Sequence, residues 1–410
     1  MNASCRSCSA PLEFVFCDLG MSPLANAYLG PEQLHHAEAF YPLRAFVCSQ
    51  CFLVQLEEFE SPESIFGDYA YFSSYSDSWL EHCRRYTEDM RRRFKLDHNS
   101  QIVELASNDG YLLQYFKEAG IPVLGVEPAA NVAAVAIDKG IPTLVEFFGV
   151  ETATQMAKEG NSADLLLGNN VLAHVPDLND FVAGMRMVLK PGGVITMEFP
   201  HLLRLMQYTQ FDTIYHEHFS YFSLHSVDRV FSDHGLGIFD VEQLPTHGGS
   251  IRIYAQHEDA ADRPIQDSVR DLIQTEKAAG VTELATYREF ASHVTQLKCE
   301  LVDFLITARK AGKQVVGYGA PAKGNNLLIY CGIGRDFVYY TVDRFAAKQG
   351  RILPGTHIPI FSPERLKETR PDYVFILPWN IKDEIMGRAD FVRRWGGKFV
   401  TAIPNVEILK

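Results

Sequence analysis

The sequence predicts an α/β protein in three parts: an N-terminal cysteine-knuckle domain, a central domain on a seven-stranded sheet, and a second C-terminal α/β domain. Three observations predict it. Two Cys-x-x-Cys pairs stand near the start. From Gln101 short apolar strands alternate with helical segments, the pattern of a parallel sheet. The same rhythm begins again at Gln314. A chain of 410 residues has room for two or three such domains, each with its own core.

The first part, residues 1–76, carries Cys5-x-x-Cys8 and Cys48-x-x-Cys51, with 39 residues between the pairs. Four thiolates in two such pairs close a tetrahedral Zn²⁺ site, each pair in a short polar turn. All four positions are then filled by protein, so the ion staples the domain and leaves no place for a substrate. Cys17, Cys83, Cys299 and Cys331 have no such partners and read as small apolar residues. The segment ends in the hydroxyl-rich run from Gly67 to Ser76, which either caps the next helix or lines a polar pocket.

A helix from about Asp77 to Phe94 leads into the central part, residues 77–258. Its strands are Gln101–Ala106, Pro122–Val126, one near Pro142–Val145, Ala163–Gly168, Val194–Phe199, and a last pair, Leu236–Leu244 and Ser250–Ala255, joined as a hairpin by Thr246-His247-Gly248-Gly249. Helices are predicted over Tyr111–Ala119 and Leu178–Leu189, the second followed by the turn Lys190-Pro191-Gly192-Gly193. This is the layout of a Rossmann-like class I methyltransferase domain. Ligands of such sheets bind at the carboxyl ends of the strands. The turn Ser107-Asn108-Asp109-Gly110 lies there, and Glu127, ending strand two, is placed to accept hydrogen bonds from a ribose diol. The G-x-G-x-x-G fingerprint that seats a pyrophosphate is missing, because Ala106–Gly110 holds one glycine where that motif wants three. S-adenosylmethionine, which has no pyrophosphate, tolerates such a loop.

Residues 259–410 open with charged helical sequence, read as a connector packed on both neighbours. The strand Gln314–Gly317 then turns through Tyr318-Gly319-Ala320-Pro321-Ala322-Lys323-Gly324-Asn325-Asn326. Backbone amides at a helix start plus Lys323 suit a diphosphate; the plainer reading is a tight turn with a solvated lysine. Tyr340–Asp343 and Tyr373–Asn380 continue a Rossmann-like domain.

Formal charge is −13, from 38 basic and 51 acidic side chains. That argues against a general nucleic-acid surface and requires a local basic pocket for any anionic ligand. No apolar run reaches membrane-spanning length and the start lacks a secretory pattern, which predicts a cytoplasmic location.

Between the two sheets lies Phe211-Asp212-Thr213-Ile214-Tyr215-His216-Glu217-His218-Phe219-Ser220-Tyr221-Phe222. Groups that exchange protons near neutral pH inside an apolar shell suit acid–base work. Core histidines with satisfied hydrogen bonds are the plain alternative. A metal site is another, since an extended segment puts His216 and His218 on one face, with Tyr215 and Glu217 opposite. The His-Glu-x-x-His protease motif fails, because position 220 is Ser.

Both knuckles, Val103–Gly110, Asn169–Pro176, Phe211–Phe222, Thr246–Ser250 and Gly317–Gly324 together resemble one family. It is the zinc-containing, S-adenosylmethionine-dependent sugar C-methyltransferases acting on nucleotide-linked 4-keto deoxysugars, of the tetronitrose C-3′-methyltransferase type. The resemblance implies a zinc domain, a cofactor domain and a C-terminal domain for the nucleotide sugar; a monomer is expected. It carries the base role to His218, with Tyr215 and Glu217 orienting it or touching the sugar, and adds His174 and Tyr69 as further active-site positions. With the loop positions above, the cofactor set becomes Glu104, Ser107, Asn108, Asp109, Glu127, Pro128, Asn169 and Asn170. The substrate set becomes Lys323, Asn325, Asp343 and Trp379, and the metal set Cys5, Cys8, Cys48 and Cys51. Two other classes stay open. A nicotinamide-dependent oxidoreductase lacks its fingerprint, and a non-catalytic zinc-stapled nucleotide-binding protein leaves the Tyr-His-Glu-His cluster unexplained.

Overall fold

A computed structural model of the chain describes residues 3–61, 72–260 and 262–409. Strands run in the order β1 (Phe14–Ser22), β2 (Tyr41–Val47), β3 (Val54–Leu56), β4 (Ile102–Leu105), β5 (Val123–Val126), β6 (Thr143–Leu144), β7 (Ala163–Asn169) and β8 (Leu189–Pro200). They continue with β9 (Ser220–Tyr221), β10 (Leu236–Leu244), β11 (Ser250–His257), β12 (Val315–Tyr318), β13 (Val338–Val342), β14 (Ile360–Phe361), β15 (Tyr373–Ile376), β16 (Lys398–Thr401) and β17 (Glu407–Leu409). Among the described residues these strands form three sheets.

The central sheet has the order β10-β11-β8-β7-β4-β5-β6. Five strands are parallel, and β11 lies antiparallel between β8 and β10. The seven strands and closing hairpin predicted from sequence are therefore present. Strands β4 and β5 are buried along their whole length, as continuous apolar runs in a doubly covered sheet require. Local boundaries moved. The helix predicted over Tyr111–Ala119 runs Leu113–Glu118, because Tyr111 and Leu112 finish the preceding turn. The turn predicted at Lys190–Gly193 lies inside β8 as a bulge, between the pairs Ala163/Leu189 and Leu165/Val194.

The C-terminal sheet has the order β14-β13-β12-β15-β16-β17, parallel except for β17. Its first turn sits at the switch between β13 and β15, the place where doubly wound sheets receive ligands.

The first sheet is antiparallel and runs β1-β2-β3-β9. Its fourth strand belongs to the histidine stretch: Val54 pairs with Tyr221 and Gln55 with Ser220. The partition into 1–76, 77–258 and 259–410 is retained as a proposal, and β9 is where the middle segment crosses into the first sheet. The connector holds two helices. Asp267–Ala278 packs on β10 of the central sheet, while Leu284–Lys310 packs on β1, with Phe16 stacked on Phe290 at 4.6 Å between centroids. Cys17, Cys83 and Cys331 are buried as expected, but Cys299 is exposed on that long helix, so the apolar reading fails there.

Candidate active site

The four knuckle sulfurs lie within 4.8 Å of one another, with Cys5–Cys51 and Cys8–Cys48 at 3.5 Å. A tetrahedral zinc ion with bonds of about 2.3 Å needs sulfurs about 3.8 Å apart, so the set fits. Gln55 Nε2 donates to Cys5 Sγ at 3.1 Å and Gln50 N to Cys48 Sγ at 3.4 Å, bonds that favour thiolate. Among the described residues no other group of metal-ligating side chains comes together, which leaves the metal reading of His216 and His218 without support.

At the carboxyl ends of β4 and β7 the backbone is held in left-handed geometry. Ala106 has φ 55°, Asn108 49° and Asn170 56°. Such conformations cost about 1–3 kcal/mol each and persist where function requires a shaped loop. Glu127 organises this loop, its two oxygens accepting from Asn108 N and Ala129 N, both at 2.9 Å. Glu104 is fully buried, and burial pushes its carboxyl well up, with the charges of Asp109 and Glu127 adding to the effect. Among the described residues, Ser107 Oγ, Asp109 Oδ1, Asn169 Nδ2 and Asn170 Oδ1 are buried without a hydrogen-bond partner. A cleft of orphaned polar atoms lined by three carboxyls fits a cofactor with hydroxyls, an amine and a sulfonium charge. Pro128 follows Glu127 and leads into the helix Ala130–Asp138.

The histidine stretch is not extended. A 3₁₀ turn over Phe211–Thr213 is followed by a tight turn at His216–Glu217 before β9. The expected alternation of faces therefore fails. Tyr215 and His218 meet, with ring centroids 4.1 Å apart and the tyrosine hydroxyl 3.0 Å from Nε2. His218 Nδ1 lies 2.8 Å from the Thr213 carbonyl. A carbonyl only accepts, so Nδ1 carries the proton and Nε2 holds the lone pair. Burial first, and then the neighbouring His174, His247 and Lys323, hold the His218 pKa well below its usual value. The ring is neutral at pH 7. His174, after β7, sits edge-on to it at 4.7 Å, its own pKa lowered to about 4 by burial. His216 turns away and donates Nε2–H to the Pro42 carbonyl at 3.1 Å.

Glu217 does not orient His218; the Thr213 carbonyl does. The Glu217 carboxylate accepts instead from Asn26 Nδ2 at 2.7 Å, and burial raises its pKa to about 7. The Tyr28 hydroxyl donates to the Ala320 carbonyl at 2.6 Å and stands 3.2 Å from Asn26 Oδ1. Tyr69 lies outside the described residues, as does most of the hydroxyl-rich run.

The C-terminal turn faces the same region. Lys323 Nζ is 4.4 Å from the Trp379 ring centre and donates to Asn380 Oδ1, with its pKa lowered to about 8 by burial. Trp379 Nε1 donates to Asp212 Oδ2 at 2.7 Å, and burial raises Asp212 to about 6. A Cβ on Gly248 (φ 93°) would stand 2.3 Å from Trp379, so glycine is what lets the 246–249 turn close onto the third sheet. Asn325 is fully buried and both its amide atoms lack partners among the described residues. Asp343 is engaged by backbone, accepting from Ala320 N at 2.7 Å and Phe345 N at 2.8 Å. The structure thus brings His174, Tyr215, His218, Lys323 and Trp379 into one region and sets Asp343 one step back, as the brace of the turn.

Sequence reasoning gave no role to Asp212, Asn26 or Asn380, nor to Glu198 at the end of β8. Glu198 accepts from Thr246 Oγ1 at 2.8 Å and Arg252 Nη2 at 2.5 Å, and pairs with His82 Nε2 at 2.9 Å. Its pKa falls to about 2: burial alone would raise it, but the His82 and Arg252 partners outweigh that. Asp212 and Glu198 stood inside segments already singled out, and their position at strand and turn ends was the available signal. Asn26 carried none.

Comparison with known proteins adds an independent line. Residues 5–66 match the family of zinc binding domains, 78–241 that of methyltransferase domains, and 245–404 the C-methyltransferase C-terminal domain. The chain is 37% identical over 405 residues to the C-methyltransferase NovU of Streptomyces niveus, covering 99% of this chain and 96% of that protein. A ubiquinone biosynthesis O-methyltransferase of Bartonella tribocorum is 30% identical over 98 residues, 24% of this chain and 40% of that one. Among solved structures, the PH0226 protein of Pyrococcus horikoshii matches with a TM-score of 0.38 and 15% identity, over 48% of this chain and 99% of that one. No helix among the described residues is long and apolar enough to cross a membrane. With the zinc cluster, the methyltransferase domain and the C-terminal domain matched in order along the chain, this protein belongs to the zinc-binding, S-adenosylmethionine-dependent C-methyltransferases.

Proposed function

We propose that the enzyme methylates C-3′ of a nucleotide-linked 4-keto deoxysugar through a base-generated enolate. The observation that carries this reading is the neutral His218, its lone pair on Nε2 covered by the Tyr215 hydroxyl, facing a lysine-bearing turn of the C-terminal domain. A carbon nucleophile must first lose a proton, and a ketone beside it makes that proton acidic. S-adenosylmethionine, when bound, supplies an electrophilic methyl group.

In this reading Nε2 of His218 takes the C-3′ proton, directly or through the Tyr215 oxygen. Lys323 and the amides of the 319–325 turn hold the diphosphate. Glu127, Ser107, Asp109, Asn169 and Asn170 would hold the cofactor. The methyl that the cofactor would supply, giving up its bond to sulfur, replaces that proton on C-3′, and the proton leaves through the His218 imidazole. Lys323 and Lys348 supply local positive charge in a chain of charge −13. Monomeric state and cytoplasmic location remain part of the proposal.

The test is incubation with S-adenosylmethionine and a nucleotide 4-keto sugar, followed by mass analysis for one added methyl. His218→Ala should lower turnover about 10²–10⁴-fold, or about 2.7–5.4 kcal/mol of barrier, while both ligands still bind. It should also abolish exchange of the C-3′ hydrogen with deuterated water. Near-normal turnover in His218→Ala would move the base to another residue of the cluster.

A further inference from the structure

The first zinc knuckle lies against the segments that follow His174 and His218, and we propose that Arg6, inside the Cys5–Cys8 knuckle, is a positioning residue that sets the separation of the two histidines. The proposal rests on the reading that this pair performs the proton chemistry. Arg6 is anchored at its backbone, where its N–H donates to Gln55 Oε1 at 2.9 Å while Gln55 Nε2 donates to Cys5 Sγ at 3.1 Å.

From that anchor the guanidinium reaches outward. Nη1 donates at 2.8 Å to the carbonyl of Pro176, two residues after His174. Nη2 donates at 2.5 Å to the carbonyl of Leu56, at the end of β3. Its Cζ stands 5.3 Å from the ring centre of Phe219, the residue after His218. Leu56 N donates to the Phe219 carbonyl at 3.0 Å, and β3 pairs with β9 directly beyond. Asn179 Nδ2 closes the other side, donating to the Arg6 and Ser7 carbonyls at 3.1 and 3.0 Å.

One side chain thus joins the loop leaving His174 to the strand leaving His218, whose rings stand 4.7 Å apart. Two divergent donors and a flat cationic face are what arginine has and lysine lacks. A displacement of about 1 Å in a reacting group costs on the order of 10² in rate.

Zinc-loaded, full-length Arg6→Met should lose about 10- to 100-fold in kcat. KM for S-adenosylmethionine and for the nucleotide sugar should stay within about threefold, with one zinc per chain retained. Arg6→Lys, with one donor site, should recover part of the loss. A second readout needs no sugar: in imidazole ¹⁵N spectra of histidine-labelled protein, the His174 and His218 signals should shift in Arg6→Met while that of His357, in the third domain, does not. If the wild type methylates no sugar, the functional reading fails, and the ring signals still decide the role of Arg6. Unchanged kcat and unmoved rings would overturn the proposal. So would loss of kcat only alongside loss of zinc or of both affinities. Should Arg6→Met fail to fold, Asn179→Ala must show the same ring shifts with a smaller kcat loss, and unshifted rings there would equally overturn it.

Discussion

The turn after β4 and the turn after β12 occupy the same place in two sheets of the same winding, and they are braced in the same way. In each, the acid ending the second strand accepts one amide from the first turn and one from two residues beyond itself: Glu127 from Asn108 and Ala129, Asp343 from Ala320 and Phe345. They differ in what surrounds the brace. Around Glu127 stand Glu104 and Asp109, with Lys139 drawn onto Asp109 at 3.3 Å. Lys323 lies on the turn that Asp343 braces, and Lys348 donates to the Ala320 carbonyl of that turn at 2.9 Å. One scaffold has therefore been given acidic side chains at one turn and lysines at the other. The acidic cleft suits a sulfonium cofactor and the basic one an anionic diphosphate. The second turn is also clamped from outside, by Tyr28 of the first domain, while among the described residues the first turn receives from that direction the Ser73 N to Asn108 Oδ1 bond at 3.0 Å.

The largest effect that sharpens this contrast is metal removal. Thiolate-bound structural zinc contributes about 10–16 kcal/mol in small peptides, so chelation or Cys48→Ser should unfold the first sheet. Tyr28, Asn26 and the partner of β9 go with it. Turnover should vanish and nucleotide-sugar binding with it, while S-adenosylmethionine affinity by calorimetry stays within about fivefold. Equal loss of both affinities would show that the two turns depend alike on the first domain.

The second effect concerns charge. Lys323→Ala should raise KM for the sugar about 10- to 100-fold and leave that for S-adenosylmethionine unchanged, as one charge-assisted contact is worth about 1.5–3 kcal/mol. With a pKa near 8, Lys323 is cationic below that pH and loses its charge as pH rises through it. Sugar KM should accordingly climb above pH 8 in the wild type and stay flat in Lys323→Ala. A flat wild-type profile would make the lysine a bystander.

How far this was legible in the sequence follows from the range of each signal. Strands and the sheet they form were read from local apolar runs, and the knuckles from spacing alone. The histidine stretch was misread as extended because its shape comes from Thr213 accepting His218 and from β9 pairing with a strand far upstream. Two residues, Ser220 and Tyr221, are too short a strand to announce themselves. The partners Asn26–Glu217 and Asp212–Trp379 are separated by 191 and 167 positions, and one sequence carries no mark of such pairs. Chemistry-bearing residue types were visible; which of them touch was not.

A third, smaller effect probes the acidic turn. Glu127→Gln keeps one acceptor for the backbone amides but loses the charge and one acceptor for a ribose hydroxyl. S-adenosylmethionine affinity should fall about tenfold, near 1.4 kcal/mol, with sugar affinity unchanged. No change by calorimetry would put the cofactor elsewhere.

The smallest effect is the mirror substitution, and it decides whether the two braces are used alike. Asp343→Asn loses one of two amide bonds at Ala320 and Phe345, which should lower stability by about 1 kcal/mol. A carboxylate beside a diphosphate repels it, so this brace has little to offer that ligand. Loosening of the turn raises sugar KM, and removal of the negative charge lowers it. Because the turn is also held by Tyr28 and Lys348 through the Ala320 carbonyl, the net change should be no more than about threefold. A tenfold loss, matching that at Glu127, would mean that Asp343 holds a hydroxyl of the nucleoside as Glu127 holds the cofactor ribose. The two turns would then share a ligand-binding acid, and their difference would reduce to the side chains set around it.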